Sequence, residues 1–125
     1  MASTRQRYGV DATVTGNKTL TAADSGIIQN VTATATITLP TGAAGIVGAV
    51  YIIRVGSTGA TDGAITVNVT PGGSDLVNGN GFTASAGKGA VATNQGGGLT
   101  EIVLQYGNTN NWFIVSATPG WTRQP

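Results

Sequence analysis

Val31-Thr-Ala-Thr-Ala-Thr-Ile-Thr-Leu39 alternates apolar and polar residues without a break, and every polar position is threonine. Side chains along a strand point to opposite faces in turn. The pattern therefore predicts one β-strand with Val31, Ala33, Ala35, Ile37 and Leu39 on a core and four threonines facing water or a partner. That second face carries no charge. It suits packing against other protein better than catalysis.

The strand stops at Pro40, which cannot donate to a ladder. On either side of it Gly, Asn, Asp and Pro punctuate short apolar or alternating segments, the rhythm of an all-β sandwich or barrel. Upstream, Val10 to Thr15 alternates and Thr19 to Thr21 is a short strand before the turn at Asp24-Ser25-Gly26; Ile27 to Asn30 leads into the opening strand. Downstream, Val47 to Val55 is almost continuously apolar, as in a strand buried on both faces. Ala64 to Thr70 alternates again. Ser74 to Gly98 reads as a long connection with short strand pieces. Leu99 to Tyr106 and Trp112 to Ala117 flank a loop, Gly107 to Asn111, as a β-hairpin. No segment joins helical apolar spacing to good helix formers. The expected fold is all-β: an antiparallel β-sandwich or jelly-roll-like domain over residues 10–118, with an N-terminal arm over 1–9 and a C-terminal tail over 119–125.

The 125 residues suit one domain that buries roughly two-thirds of its unfolded surface. Charged residues make up 9% against about 25% in an average soluble domain, and the net charge is +1. That balance calls for neither nucleic acid nor an acidic membrane. At 40% hydrophobic the chain is expected to fold rather than remain disordered. With no cysteine there is neither a disulfide framework nor a thiolate metal site. With no histidine the commonest general base and zinc ligand are also missing. The start, Met1 to Tyr8, has no apolar stretch after its positive residues, and the longest apolar run is half of what a bilayer needs. Synthesis in a cytoplasm, as a soluble protein, is the expectation.

Five acids, Asp11, Asp24, Asp62, Asp75 and Glu101, are scattered singly. Asp24, Asp62 and Asp75 stand beside glycine or serine, where a carboxylate commonly holds a turn. Calcium would use such loop oxygens, but no EF-hand run is present. Gly81 to Gly89 imitates a phosphate loop and fails on glycine spacing and on Gly89, which stands where a Ser or Thr is required. Asn17, Asn30 and Asn68 fit the glycosylation pattern, as a threonine-rich chain does by chance. No catalytic residue, cofactor or metal site is expected, and no small-molecule substrate.

Candidate contact residues lie in the two tails. Arg5, Arg7 and Tyr8 precede the first strand; Trp121 and Arg123 lie in Pro119 to Pro125. Tryptophan and arginine are enriched at interface anchors; Trp121 is read equally well as part of a tail folded back onto its own domain. A neighbouring subunit is the expected partner of these tails. Trp112 and Phe113 fall on opposite faces of one strand, so one fills the core while the other looks outward or across an interface.

Leu20-Thr-Ala-Ala-Asp24-Ser-Gly26, the threonine-rich strand to Pro40, Gly48 opening Ala49 to Val55, and the hairpin ending in Trp112-Phe-Ile-Val115 together resemble a β-module of tailed-phage virions. The resemblance spans residues 18–117. It is to small capsid decoration, or cement, proteins and to some tail-fibre segments. For the decoration family it implies an antiparallel β domain, homotrimers, and attachment to the capsid exterior where the protein bridges neighbouring major capsid subunits. It transfers no contact residue. The sequence thus leads to a non-enzymatic structural protein of a bacteriophage virion, with a trimeric tail-fibre or receptor-binding module as the alternative.

Overall fold

The alternation of Val31 to Leu39 survives in three dimensions, but as two strands in two sheets. The structure is a computed structural model that describes residues 11–56, 64–94 and 99–125. Its strands are β1 (Asp11–Val14), β2 (Lys18–Thr19), β3 (Ile28–Val31), β4 (Ala35–Thr38), β5 (Val50–Val55), β6 (Ile65–Thr70), β7 (Leu76–Asn78), β8 (Ala90–Asn94), β9 (Thr100–Tyr106), β10 (Asn111–Ala117) and β11 (Thr122–Arg123). They form a six-stranded sheet in the order β1-β3-β5-β9-β10-β7 and a five-stranded sheet in the order β11-β8-β6-β4-β2. The sheets pack face to face, as in a sandwich. Among the described residues helical structure is limited to two 3-10 turns, Ala22–Asp24 and Ala44–Ile46.

The expected antiparallel pairing holds for only part of the fold. β1, β3 and β5 pair in parallel, as do β2, β4 and β6. The first six strands alternate between the sheets, so the chain winds around one interior three times: β1–β2, β3–β4, β5–β6. Hydrogen bonds also stack the corners. Thr32 N donates to Val14 O at 2.9 Å and Gly56 N to Val31 O at 2.7 Å; at the opposite corner Leu20 N donates to Thr38 O and Leu39 N to Thr70 O, both at 2.8 Å.

This coil explains why one alternating run became two strands. A chain that turns a corner around a common interior keeps the inward residues of its strands inward, so Val31, Ala35, Ile37 and Leu39 are buried, whereas Ala33, expected on the core, lies in the corner between the strands and is only half-buried. Stacking places like on like: Val14 on Val31 on Val55, and Ile37 on Val69.

After β6 the pairing changes. β7 runs parallel to β10 at the far edge of the six-stranded sheet, and the β9–β10 hairpin fills the space between β5 and β7 with antiparallel pairs. β8 joins β6 antiparallel. The connection read from Ser74 to Gly98 therefore contains β7 and β8. The segment 119–125, read as a tail, supplies the edge strand β11 against β8. Gln124 fixes it there: its backbone N–H donates to Gly89 O at 3.0 Å, and its side-chain oxygen accepts from Gly89 N at 2.6 Å. The same amide donates to Asn68 Oδ1 and Thr70 Oγ1, so this buried polar group is fully bonded.

Trp112 is fully buried at the centre of the core, edge-on to Tyr51 (5.5 Å between centroids) and Tyr106 (5.1 Å). The Tyr51 hydroxyl donates to Thr21 O at 3.1 Å. Burial, and next the Asp24 carboxylate, push its pKa above the usual tyrosine value. The folded chain thus keeps a proton that the unfolded chain loses near pH 10. The stabilisation is complete below that pH and disappears as pH rises from there through the folded pKa. We expect the unfolding free energy to fall above about pH 10 and Tyr51→Phe to flatten that decline, as measured by urea titration across the alkaline range.

Candidate functional site

The outer side of the six-stranded sheet is the most distinctive surface of the molecule. Strand parity sends Tyr51, Ile53 and Val55 inward, so Val50, Ile52 and Arg54 face out. Across the sheet the register sets Ile28 beside Ile52, Ile52 beside Val103, and Val103 beside Ser116. An aliphatic row therefore crosses β3, β5 and β9 and ends at Ser116 on β10, next to Val115. Ile28 and Ile52 are only 6% and 7% exposed although they stand outside the interior cluster. They lie in a groove of about 290 Å³ lined by Val50, Arg54, Glu101, Val103 and Val115 as well.

A β-bulge shapes one wall. Ile114 pairs with Leu104 and Ser116 with Val103, leaving Val115 as the extra residue. Bulges re-aim side chains; here Val115 is turned outward and is 59% exposed. Phe113, on the same strand and face, is 47% exposed, while its neighbour Trp112 fills the core. Its ring lies over Gly107, where a Cβ would collide with it. The Gly107-to-Asn110 turn permits that approach, and Thr109 and Asn110 take the positive φ values that close it.

The groove's charges are closed on each other. Arg54 Nε and a terminal guanidinium nitrogen reach the same Glu101 oxygen at 2.9 and 2.8 Å. Glu101 N donates to Thr118 Oγ1 at 2.9 Å. Aliphatic walls with internally paired charges can bury an apolar group; they offer no free charge to a substrate or ion.

The opposite outer face belongs to the five-stranded sheet. Thr36, Thr38, Thr66, Asn68 and Thr70 are half-buried along it. Thr66 and Thr93 share a hydroxyl–hydroxyl hydrogen bond of 2.8 Å, and Thr34 Oγ1 accepts from Thr66 N. This is the neutral hydroxyl face that the alternating threonines predicted.

Of the tail residues picked from sequence, Arg5, Arg7 and Tyr8 lie outside the described residues. Trp121 is 5% exposed, belongs to the interior cluster and donates its indole N–H to Glu101 O at 3.1 Å. Its ring is spent inside its own domain, because β11 folds back onto β8. Arg123 is exposed on that edge strand. Trp121 thus meets the backbone of the groove residue Glu101 from the interior side, and neither residue lines the groove.

Of the acids read as turn residues, Asp24 follows turn chemistry and Asp75 does not; Asp11 and Glu101 lie in β1 and β9. Asp24 Oδ2 accepts from Thr21 N at 2.8 Å, closing a capping box. The Asp75 carboxylate does not cap its own turn: it is 2% exposed and accepts from Gly42 N at 2.6 Å and Trp112 Nε1 at 3.4 Å, tying a distant loop to the central ring. Asp62 lies outside the described residues. No group of three or more acidic side chains that could hold a metal ion occurs among the described residues. Gly89 leads into β8, not into the helix that a phosphate loop requires. No family model, curated protein or solved structure matches the chain.

Sequence reasoning did not locate the groove. Its one visible trace was the two-faced apolar run from Val47 to Val55, whose second face is Val50 and Ile52.

Proposed function

We propose that the chain is a non-enzymatic virion protein that decorates the outside of a tailed-phage capsid as a trimer and bridges neighbouring major capsid subunits. The observation that carries the reading is the outer side of the six-stranded sheet, apolar across four strands and with its ion pair closed within the chain. An apolar groove flanked by the exposed side chains of Phe113 and Val115 favours contact with another protein surface. The threonine face behind it supports the same reading, since neutral hydroxyls can bond a partner without the desolvation cost of a buried charge. So does the resemblance carried by Leu20 to Gly26 and the Trp112 hairpin.

Cementing then works by mass action. A protein that binds only the expanded shell stabilises that state, and several linked copies bind with avidity. The test is co-sedimentation of purified protein with expanded and unexpanded empty heads of the phage that encodes it. Saturable binding to expanded heads alone is expected; equal binding to both, or to neither, would defeat the reading.

The coil itself favours a second reading, a tail-fibre or receptor-binding module. β1 and β2 are edge strands of both sheets at one end of the described winding, a geometry that further windings can extend. Absence from heads together with presence in isolated tails would support it, as would strong binding on a glycan array.

A further inference from the structure

We infer that the groove on the six-stranded sheet receives Phe113 of a second copy of this chain. The inference names the partner of one face within the proposed function and rests on that reading for its context alone.

Knob and hole stand side by side on one surface. The register runs Val50, Gln105, Phe113 in one row and Ile28, Ile52, Val103, Ser116 in the next, so the phenyl ring projects beside the groove. The knob is held ready. Gly107 leaves room for one edge of the ring against the turn, and a side chain held there loses less entropy when it is captured.

The hole suits a single apolar side chain. Its volume of about 290 Å³ and its aliphatic walls of Ile28, Val50, Ile52, Val103 and Val115 can cover a phenyl ring. Its guanidinium and carboxylate already bind each other at 2.8 Å, so a charged ligand would have to break that pair. A ring from an uncharged surface needs no such exchange. Copies of a chain with net charge +1 also approach with almost no mutual repulsion. A partner of opposite charge has nothing here to recognise; the chain's own neutral, apolar surface does.

Two variants that each break one half of the contact test it. Phe113→Ser removes the knob, and Val103→Phe fills the hole with a residue that strands accept. The wild-type chain should self-associate in sedimentation equilibrium, and each variant alone should weaken association roughly thirtyfold or more, as loss of an interface hot spot does. Mixed together the variants should recover a one-to-one pair, because the hole-filled chain still carries a ring and the ringless chain still carries a hole. Gly107→Ala should weaken association as well, by displacing the ring, whereas Val47→Ser, an exposed apolar residue elsewhere, should not. Circular dichroism and melting establish that each variant is folded.

A wild-type chain that stays monomeric at high concentration would overturn the inference. So would folded variants whose mixture stays unpaired, or loss of head binding by Phe113→Ser from a monomeric wild type, which would give the groove to the capsid. Pairing that persists while head binding fails would leave this contact standing and remove the decoration reading.

Discussion

Trp112→Ala should destabilise the chain by about 4 kcal/mol, the middle of the range for truncating a buried aromatic. The indole is fully buried and makes edge contacts with both Tyr51 and Tyr106. Two rings would lose their common partner, and the sheets cannot close over the space because β5, β9 and β10 are fixed by ladders on both sides of it. A second term comes from Asp75. Its buried carboxylate keeps the bond from Gly42 N but loses the indole N–H at 3.4 Å. The melting temperature should fall by roughly 15 °C. Trp112→Phe separates the two contributions: it retains a ring against the tyrosines while removing the N–H, and about half of the loss or less should remain. Urea unfolding of the three proteins measures both steps. A Trp112→Ala protein as stable as the wild type would mean that the two sheets are held together elsewhere.

The same side chain shows how far sequence reasoning reached. Opposite faces for Trp112 and Phe113 were legible because strand period is a local property. So were the strands at Ala64 to Thr70 and Leu99 to Ala117, and the turn chemistry of Asp24. What escaped was set by long-range pairing. In Val31 to Leu39 the alternation reads identically for one straight strand and for two strands joined at a corner, since inward stays inward around a coil. The windings also hide their own repetition. Asp11 stacks on Ile28 and Ile28 on Ile52, offsets of 17 and then 24 residues, so no fixed period appears. Parallel pairing was therefore invisible.

The groove escaped for a related reason. Ile28, Ile52 and Val103 are far apart in sequence and become a row only through the register of β3, β5 and β9. The bulge at Val115 leaves no mark that a strand pattern would reveal. Trp121 was the opposite case: a residue conspicuous in sequence whose indole is fully used within the chain, on the core and on Glu101 O. An exposed aromatic is informative only once the core has taken those it needs, and among the described residues the exposed one is Phe113.

Gly89→Ala should be the other severe substitution, costing about 3 kcal/mol although it adds a single methyl group. A Cβ at Gly89 would collide with the Val69 carbonyl oxygen and press on Pro71 Cδ at 3.1 Å. The first obstacle is backbone, so no side-chain rotation relieves it. Either β8 moves away from β6 or β6 bends, and overpacking of this kind commonly costs 1–3 kcal/mol. The displacement then reaches the C-terminal strand. Gly89 N and O are both bonded to Gln124, and the Gln124 amide in turn holds Asn68 and Thr70. Moving Gly89 strains a buried amide whose every polar atom is in use, and each bond lost adds about 1 kcal/mol. Gly16→Ala is the control, because nothing lies within 4 Å of a Cβ there; it should be neutral or slightly stabilising. Urea titration gives the energies, and hydrogen exchange at the Gln124 amide shows whether the clamp has opened. If Gly89→Ala matched Gly16→Ala in both measurements, β8 and the C-terminal strand could not be packed against β6 as closely as the bonds from Gly89 to Gln124 require.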